Sequence, residues 1–370
     1  MLDYGLPPSR PGRALDLRAL DQVIDFPARD MTITVQSGIT LSALETILAK
    51  ENLSLPIDVS RPGLSTLGGA IATNASGSRR LGYGTLRDYV IGISVVNDEG
   101  KEIKAGGRVV KNVAGYDLCK LCVGSLGTLG VITQVTLKLK PMPEERAIVL
   151  IPCRSDPAEV LLNLLHESRT RPACIDLLNP GRAQYIKRNS HVDLPEEQWT
   201  LVVGYEGNRC AVTGQVQQII LELGREYVCG LDVHIGEAVR PIWQALALRP
   251  TPAESTLTLK ANVLPSATAR ICREFASEGL AIHAHAGSGI IYGFGPARLV
   301  IEDCRTLLLK WQELGRSAGG NAIAMRCPAA WKSSLPIWGA PREDAWLMQT
   351  VKQKLDPQAI FNPGRFIAAI

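Results

Sequence analysis

Of the 34 glycines in this chain, 14 lie between Gly63 and Gly130. Glycine permits sharp turns and close approach of the backbone to a neighbour, so this stretch must expose or pack bare main chain. Its densest part is Ser65-Thr66-Leu67-Gly68-Gly69-Ala70-Ile71-Ala72-Thr73-Asn74-Ala75-Ser76-Gly77, where every side chain is small, apolar, a hydroxyl or an amide. Such a segment lies flat against a ligand and presents backbone N–H groups, which hold a pyrophosphate without any lysine. Thr66, Thr73, Asn74 and Ser76 add hydrogen-bonding side chains. On composition alone, a tightly packed turn with no ligand is an equal alternative.

A second segment runs from Lys111-Asn112-Val113-Ala114-Gly115-Tyr116-Asp117-Leu118 to Gly124, Gly127 and Gly130, with Ser125 and Thr128 between these glycines. It lacks both Gly-x-Gly and Gly-Lys-Ser/Thr, so it is neither a dinucleotide fingerprint nor a phosphate-binding loop. The plainer reading is a strand entry that packs closely. Gly287-Ser288-Gly289-Ile290-Ile291-Tyr292-Gly293 approximates Gly-x-Gly-x-x-Gly with one extra residue. The apolar run after Gly289 suits a strand rather than a helix, so the Rossmann reading is rejected.

The chain has 370 residues, 46% of them hydrophobic, enough for two domains or one large one. With 40 Lys plus Arg against 36 Asp plus Glu, no nucleic-acid or anionic-membrane partner is implied. No run of about 18 apolar residues exists to span a membrane. The opening Met1-Leu2-Asp3-Tyr4-Gly5 carries no secretory signal, so a cytoplasmic location is expected, with any membrane association through partner subunits. The 9 cysteines are an odd, scattered set, which fits reduced thiols. Cys119-Lys120-Leu121-Cys122 has no second pair to complete a zinc or iron–sulfur site and reads as part of a short helix.

Thr32–Val35 reads as a strand, followed by a helix with Leu41, Leu44, Ile47 and Leu48 on one face and Thr40 as its N-cap. Ile91–Val96 and Glu102–Lys104 flank a hairpin turn at Asp98–Lys101, and Val131–Leu139 is a long strand. After Pro141-Met142-Pro143 the chain alternates strands and helices. Strands are expected at Ala147–Ile151, Leu201–Val203, Thr256–Val263, Ala281–His285, Ile290–Phe294 and Ala322–Met325. Helices are expected around Val160–Leu165, Val216–Leu223, Ala267–Ser277 and Ala297–Leu314. This is an α+β layer with helices over a mostly antiparallel sheet, and a twofold repeat within it is conceivable.

Together, Pro62–Gly77, Tyr83–Val90, Lys111–Leu118, Gly124–Ile132 and Asp356-Pro357-Gln358-Ala359-Ile360-Phe361-Asn362-Pro363-Gly364-Arg365-Phe366 resemble the vanillyl-alcohol-oxidase, or PCMH-type, FAD-binding family. Val110–Leu118 is similar to the E-type flavin subunits of bacterial glycolate oxidases. The resemblance implies a PCMH-type FAD-binding domain of two α+β subdomains over residues 1–141. It also implies a ferredoxin-like cap over 142–340 and a returning C-terminal segment over 341–370. It implies FAD lined by Thr66, Leu67, Gly68, Gly69, Ala72, Thr73, Asn74, Ser76 and Gly77, with Tyr83, Gly84 and Thr85 beside the flavin. Gly127, Val131 and Ile132 would meet the ribityl or adenosine part, and Asn362 would approach from the C-terminus. The first subdomain is expected to be truncated at its N-terminus, leaving the edge at Ile33–Val35 without a neighbour.

The implied activity is oxidation of glycolate, a 2-hydroxy acid, to glyoxylate through FAD. A D-type flavin subunit and an iron–sulfur subunit are the implied partners. Catalytic relatives carry His-x-Gly-x-Gly-x-x-His in the cap. Here the stretch is His285-Ala286-Gly287-Ser288-Gly289-Ile290-Ile291-Tyr292, with Tyr292 at the second histidine, so no metal is expected. His283 and His285 alternate on one strand face and read as ordinary hydrogen-bonded histidines. His285 and Tyr292 remain candidates near the flavin, and Arg326 is a candidate carboxylate holder or a structural partner. Arg79-Arg80 are expected to face solvent, with a phosphate as the alternative. Two alternatives stand beside this: a stand-alone FAD-dependent oxidase of another hydroxy acid or alcohol, and a non-catalytic scaffold subunit that has lost FAD.

Overall fold

A computed structural model describes residues 3–108, 116–153, 157–190, 192–228, 230–340, 343–367 and 370. They form two compact units. One comprises Met1–Ser76, Gly84–Met142 and Ala340–Ile370, and the other Gly77–Tyr83 and Pro143–Gly339.

The first unit contains β1 (Val23–Asp25), β2 (Thr32–Gln36), β3 (Leu53–Ser54), β4 (Val90–Val96), β5 (Glu102–Gly106), β6 (Val131–Lys138) and β7 (Lys140–Pro141). An antiparallel sheet runs β1-β2-β6-β4-β5, and β3 pairs with β7. The edge expected to be bare is not bare. β1 lies against β2, with Val23 opposite Val35 and Asp25 opposite Thr34. The residues that supply it, Val23-Ile24-Asp25, are too few for a periodic signal.

The helix Leu41–Ala49 buries Leu41, Leu44 and Leu48, and the Thr40 side chain accepts from the Ala43 N–H at 3.2 Å. The β4–β5 turn closes because the Asn97 side chain accepts from the N–H groups of Glu99 (3.2 Å) and Lys101 (2.8 Å). Cys119 and Cys122 sit on the short helix Leu118–Cys122, and burial pushes the Cys122 thiol up to about 11. Neither has the depressed acidity of a reactive thiol.

The second unit holds β8 (Glu145–Cys153), β9 (Cys174–Leu178), β10 (Trp199–Gly207), β11 (Asp232–Ile235), β12 (Thr258–Asn262), β13 (Ala281–His285), β14 (Ile290–Phe294) and β15 (Asn321–Arg326). They make one antiparallel sheet in the order β11-β8-β10-β9-β13-β14-β12-β15. This order is a repeat. β8, helix Pro157–Glu167, β9, β10, helix Arg209–Val228 and β11 make one split β-α-β unit. β12, helix Thr268–Ala276, β13, β14, helix Ile301–Ser317 and β15 make a second, with the same internal strand order. The expected ferredoxin-like cap is therefore two ferredoxin-like halves, joined where β9 pairs with β13.

Helices Thr268–Ala276 and Ile301–Ser317 press on each other through stacked Phe275 and Trp311 rings, 3.5 Å between centroids. Trp311 lies so close to β14 that a Cβ at Gly293 would fall 2.4 Å from its ring. That contact explains the last glycine of the rejected Gly-x-Gly-x-x-Gly match. Gly289, at φ 64, turns the chain from β13 into β14.

Candidate functional site

In the first unit the helix Leu67–Ala72 opens with the Thr66 side chain accepting from the Gly69 N–H at 3.2 Å. Gly68 lies against Ser37, where a Cβ would come within 2.8 Å of the Ser37 Cβ. The Thr73 hydroxyl turns back to the Gly69 carbonyl (2.9 Å). Asn74 then takes a left-handed backbone, φ 46, and its buried Oδ1 has no hydrogen-bond donor. The next glycine-rich loop docks on the end of this helix, since Gly124 N–H donates to the Ile71 carbonyl (2.9 Å) and Leu126 N–H to the Ala72 carbonyl (2.8 Å). Asn362 completes the group. Its Nδ2 donates to the Leu126 carbonyl at 2.8 Å, and a Cβ at Gly127 (φ 67) would meet that nitrogen at 3.0 Å. Ala72, Asn74, Gly127 and Asn362 are thus brought together from three separate stretches of sequence.

Other expected positions are more dispersed. Val131 and Ile132 lie in β6, where the Ile132 carbonyl accepts from the Ser37 hydroxyl at 2.6 Å. Gly84 has φ 81, and the Thr85 N–H donates to the Asp88 carboxylate at 2.8 Å. Ser76 is buried. Gly77 and Tyr83 belong to the second unit. Lys111–Gly115 lie outside the described residues. An FAD pyrophosphate needs donors from bare main chain, and a flavin edge needs acceptors as well. Gly68 and Gly69 spend their N–H groups within the protein, on the Ser37 carbonyl and the Thr66 hydroxyl, so the left-handed backbone at Gly127 and the unpartnered Asn74 oxygen are what fit that need.

The second unit gathers its polar groups on the β9–β13 seam. Asp176 on β9 is fully buried among apolar neighbours and accepts from three donors. His283 Nε2 reaches its Oδ2 at 2.8 Å, His285 Nδ1 its Oδ1 at 2.9 Å, and the Ser78 hydroxyl its Oδ2 at 2.5 Å. Burial opposes charge on Asp176, but the two imidazoles outweigh it and hold the carboxyl well below its usual range. Burial wins at His283 and brings it down to about 4. At His285 burial also opposes charge, yet the attraction of Asp176 prevails and raises it. The two imidazoles are thus pulled in opposite directions around one carboxylate. The ligating atoms of these three residues lie within 4.8 Å of one another, a grouping that residue spacing did not announce.

The Tyr292 ring meets His285 edge-on, 5.5 Å between centroids, and the Arg249 guanidinium lies 4.5 Å above its other side. Lys260 is its neighbour across β12–β14. Burial opposes ionisation of the phenol, but Arg249, Lys260 and His285 together bring it down to about 7. Arg182 sits beside the same strand, 4.9 Å over the Phe294 ring, with its Nε and Nη1 buried and without an acceptor. Arg326 is engaged elsewhere: its guanidinium donates to the carbonyls of Pro250 (2.7 Å) and Ser255 (2.9 Å), which secures the loop before β12. Arg79 does not face solvent as expected. It pairs with the buried Glu206 carboxylate at 3.3 Å and lies 5.7 Å over the Trp243 ring.

Residues 5–106 match the family model described as FAD binding domain. Over 98% of its length the chain is 28% identical to glycolate oxidase subunit GlcD of Bacillus subtilis (strain 168), covering 81% of that protein. It is 28% identical to glycolate oxidase subunit GlcE of Escherichia coli (strain K12) over 97% of its length, covering 88% of that protein. The mitochondrial D-lactate dehydrogenase [cytochrome] of Arabidopsis thaliana is 28% identical over 96% of this chain and 65% of its own length. Among solved structures, an alkyldihydroxyacetonephosphate synthase superposes with a TM-score of 0.63 at 18% identity, covering 96% of this chain and 69% of its own. A chitooligosaccharide oxidase does so with 0.61 at 15%, covering 93% and 79%. These superpositions establish the α+β fold, the matched residues 5–106 are those of an FAD binding domain, and the sequence relatives make the chain an FAD-linked oxidoreductase.

Proposed function

We propose that this chain oxidises a small 2-hydroxy acid, glycolate to glyoxylate in the first instance, as an E-type subunit beside a D-type flavin subunit and an iron–sulfur subunit. One observation supports the reading above others. The seam of the second unit sets two cations, Arg249 and Lys260, around a phenol whose edge meets a hydrogen-bonded imidazole–carboxylate pair. A 2-hydroxy acid presents one carboxylate and one hydroxyl proton. Guanidinium and ammonium groups receive the first, and a poised base receives the second. FAD, when bound, supplies the hydride acceptor. Thr66–Gly69, Ala72–Gly77, Gly127 and Asn362 are the residues that would hold it.

The test is anaerobic mixing of the flavin-loaded chain with glycolate, D-lactate and the unsubstituted acids acetate and propionate. The hydroxy acids are expected to bleach the flavin, while acetate and propionate leave it oxidised. Copurification with two further subunits favours the E-type assignment. Bleaching by simple alcohols as fast as by glycolate would overturn the hydroxy-acid reading. Arg249→Met is expected to raise the half-saturating glycolate concentration about 10-fold or more, since a charge-assisted hydrogen bond contributes about 1.5–3 kcal/mol.

A further inference from the structure

We propose that the polar face of the five-stranded sheet holds a small hydroxylated carboxylate, a ligand with one negative charge and at least one hydroxyl. The site lies wholly within the first unit. It does not rest on the hydroxy-acid reading above, which concerns the second unit's side chains.

Strand alternation puts Ile33, Val35, Val135 and Leu137 on one face of this sheet, fully buried. The other face of an antiparallel sheet is commonly polar because it is solvated. Here it is polar and yet buried: Thr34, Ser94 and Thr136 are 6%, 2% and 8% exposed. Strand register sets its residues in two rows. Gly106, Gly92, Thr136, Thr34 and Asp25 stand opposite one another across all five strands. Lys104, Ser94 and Gln134 form the next row. The two glycines leave a hollow where side chains would stand, and a cavity of about 230 Å³ opens over both rows. That is several times the share of one water, about 30 Å³ in the liquid, so the hollow takes a molecule of several heavy atoms.

The groups lining it ask for a partner. Thr34 and Thr136 share one hydrogen bond, 2.9 Å between their oxygens, so one of the two hydroxyls keeps a proton to donate. The Ser94 hydroxyl and the Gln134 carboxamide have no hydrogen-bond partner among the described residues. Buried polar groups of this kind are costly unless something meets them. Lys104 and Arg108 line the cavity with one carboxylate, Asp25, which Arg108 pairs. Lys104 also lies 3.3 Å from Glu102, but that pair is exposed and contributes little. Two cations against one carboxylate leave one positive charge, which a monoanion balances. The guanidinium fork matches a carboxylate, and hydroxyls and carboxamides both donate and accept, as a ligand hydroxyl does. No aromatic ring lines the cavity, so a stacked heterocycle finds no platform. Asn74, Gly127 and Asn362 are absent from the lining, so the cavity is separate from the group that fits the flavin.

The experiment is a calorimetric titration of the full chain with 3-hydroxypropionate, which has no 2-hydroxyl to be oxidised. Propionate and inorganic phosphate are the control probes. The parent is expected to bind 3-hydroxypropionate saturably, and propionate about 3–10-fold more weakly, for want of one hydrogen bond. Arg108→Gln should weaken both about 10-fold or more, since a charge-assisted bond is lost. Ser94→Ala should bring 3-hydroxypropionate down to the level of propionate and leave propionate itself unchanged. Lys104→Gln, also on the exposed rim, repeats the charge test should Arg108→Gln melt earlier than the parent. Absence of saturable binding, or equal affinity for the two acids, overturns the proposal. Binding that survives both rim variants, or that Arg249→Met abolishes instead, places the ligand elsewhere and overturns it too. Phosphate bound as tightly as 3-hydroxypropionate marks an adventitious ion only, with the same consequence.

Discussion

Asp176→Asn is expected to destabilise the second unit by about 3–5 kcal/mol, the usual cost of breaking a buried ion pair by removing one partner. Asp176 is fully buried and accepts from His283, His285 and Ser78. An amide offers one acceptor oxygen where the carboxylate offers two, and its NH₂ faces an imidazole N–H. For a unit of this size the loss corresponds to roughly 10 °C in melting temperature. The pH dependence has a definite sign. Asp176 is held below its unfolded value of about 4, so its contribution is present above that pH and fades as pH falls through the folded value. His283 is lowered to about 4, so the unfolded chain takes up a proton first, and stability falls from about pH 6.5 down to that value. His285 is raised, so its contribution is full below about pH 6.5 and is lost as pH rises through its folded value. Denaturation of parent and variant across pH checks all three. An Asp176→Asn chain as stable as the parent at neutral pH contradicts the account.

Lys352→Met is expected to cost the first unit a similar amount, about 3–5 kcal/mol, and to release the C-terminal segment. The buried Lys352 ammonium donates to the Thr128 carbonyl (2.7 Å), the Phe361 carbonyl (2.9 Å) and the Asp356 carboxylate (2.5 Å). Asp356 in turn accepts from the N–H groups of Ile360 (2.9 Å) and Phe361 (2.8 Å). This clamp positions Asn362 against Leu126 and Gly127. With Met at 352, Asp356 is left buried and uncompensated. Limited proteolysis is expected to cut between 356 and 366 in the variant and not in the parent, with weaker retention of flavin. The double variant Lys352→Met, Asp356→Leu should recover much of the stability, because an apolar pair replaces a buried ion pair at little cost. It should not recover flavin retention, since the carboxylate also fixes the turn that carries Asn362. Failure of the double variant to regain stability would contradict the clamp.

The glycine-rich stretch was legible because its information is local. A left-handed backbone or a close approach demands glycine at that position, whatever lies elsewhere in the chain. The same holds for β13 and β14, where apolar periodicity marks both strands without any partner. The hub of the second unit was not legible. Cys174-Ile175-Asp176-Leu177-Leu178 forms β9, yet the carboxylate within it belongs to residue types depleted from strands. Asp176 meets His283 across 107 residues, so only strand pairing reveals the contact. A signal did exist: two histidines alternating on an apolar strand must be satisfied if buried, and an acid isolated in an apolar run is the natural partner. The doubling of the ferredoxin-like half was hidden for a related reason. Helix Pro180–Ser190 interrupts the first half, and helix Val239–Ala247 separates the two halves.

The most direct test is the visible absorption spectrum of the full chain, purified and then incubated with added FAD. The left-handed main chain at Gly127, with the unpartnered Asn74 oxygen beside it, predicts a yellow protein that retains about one flavin per chain. A colourless protein that leaves added FAD in the filtrate would contradict the account.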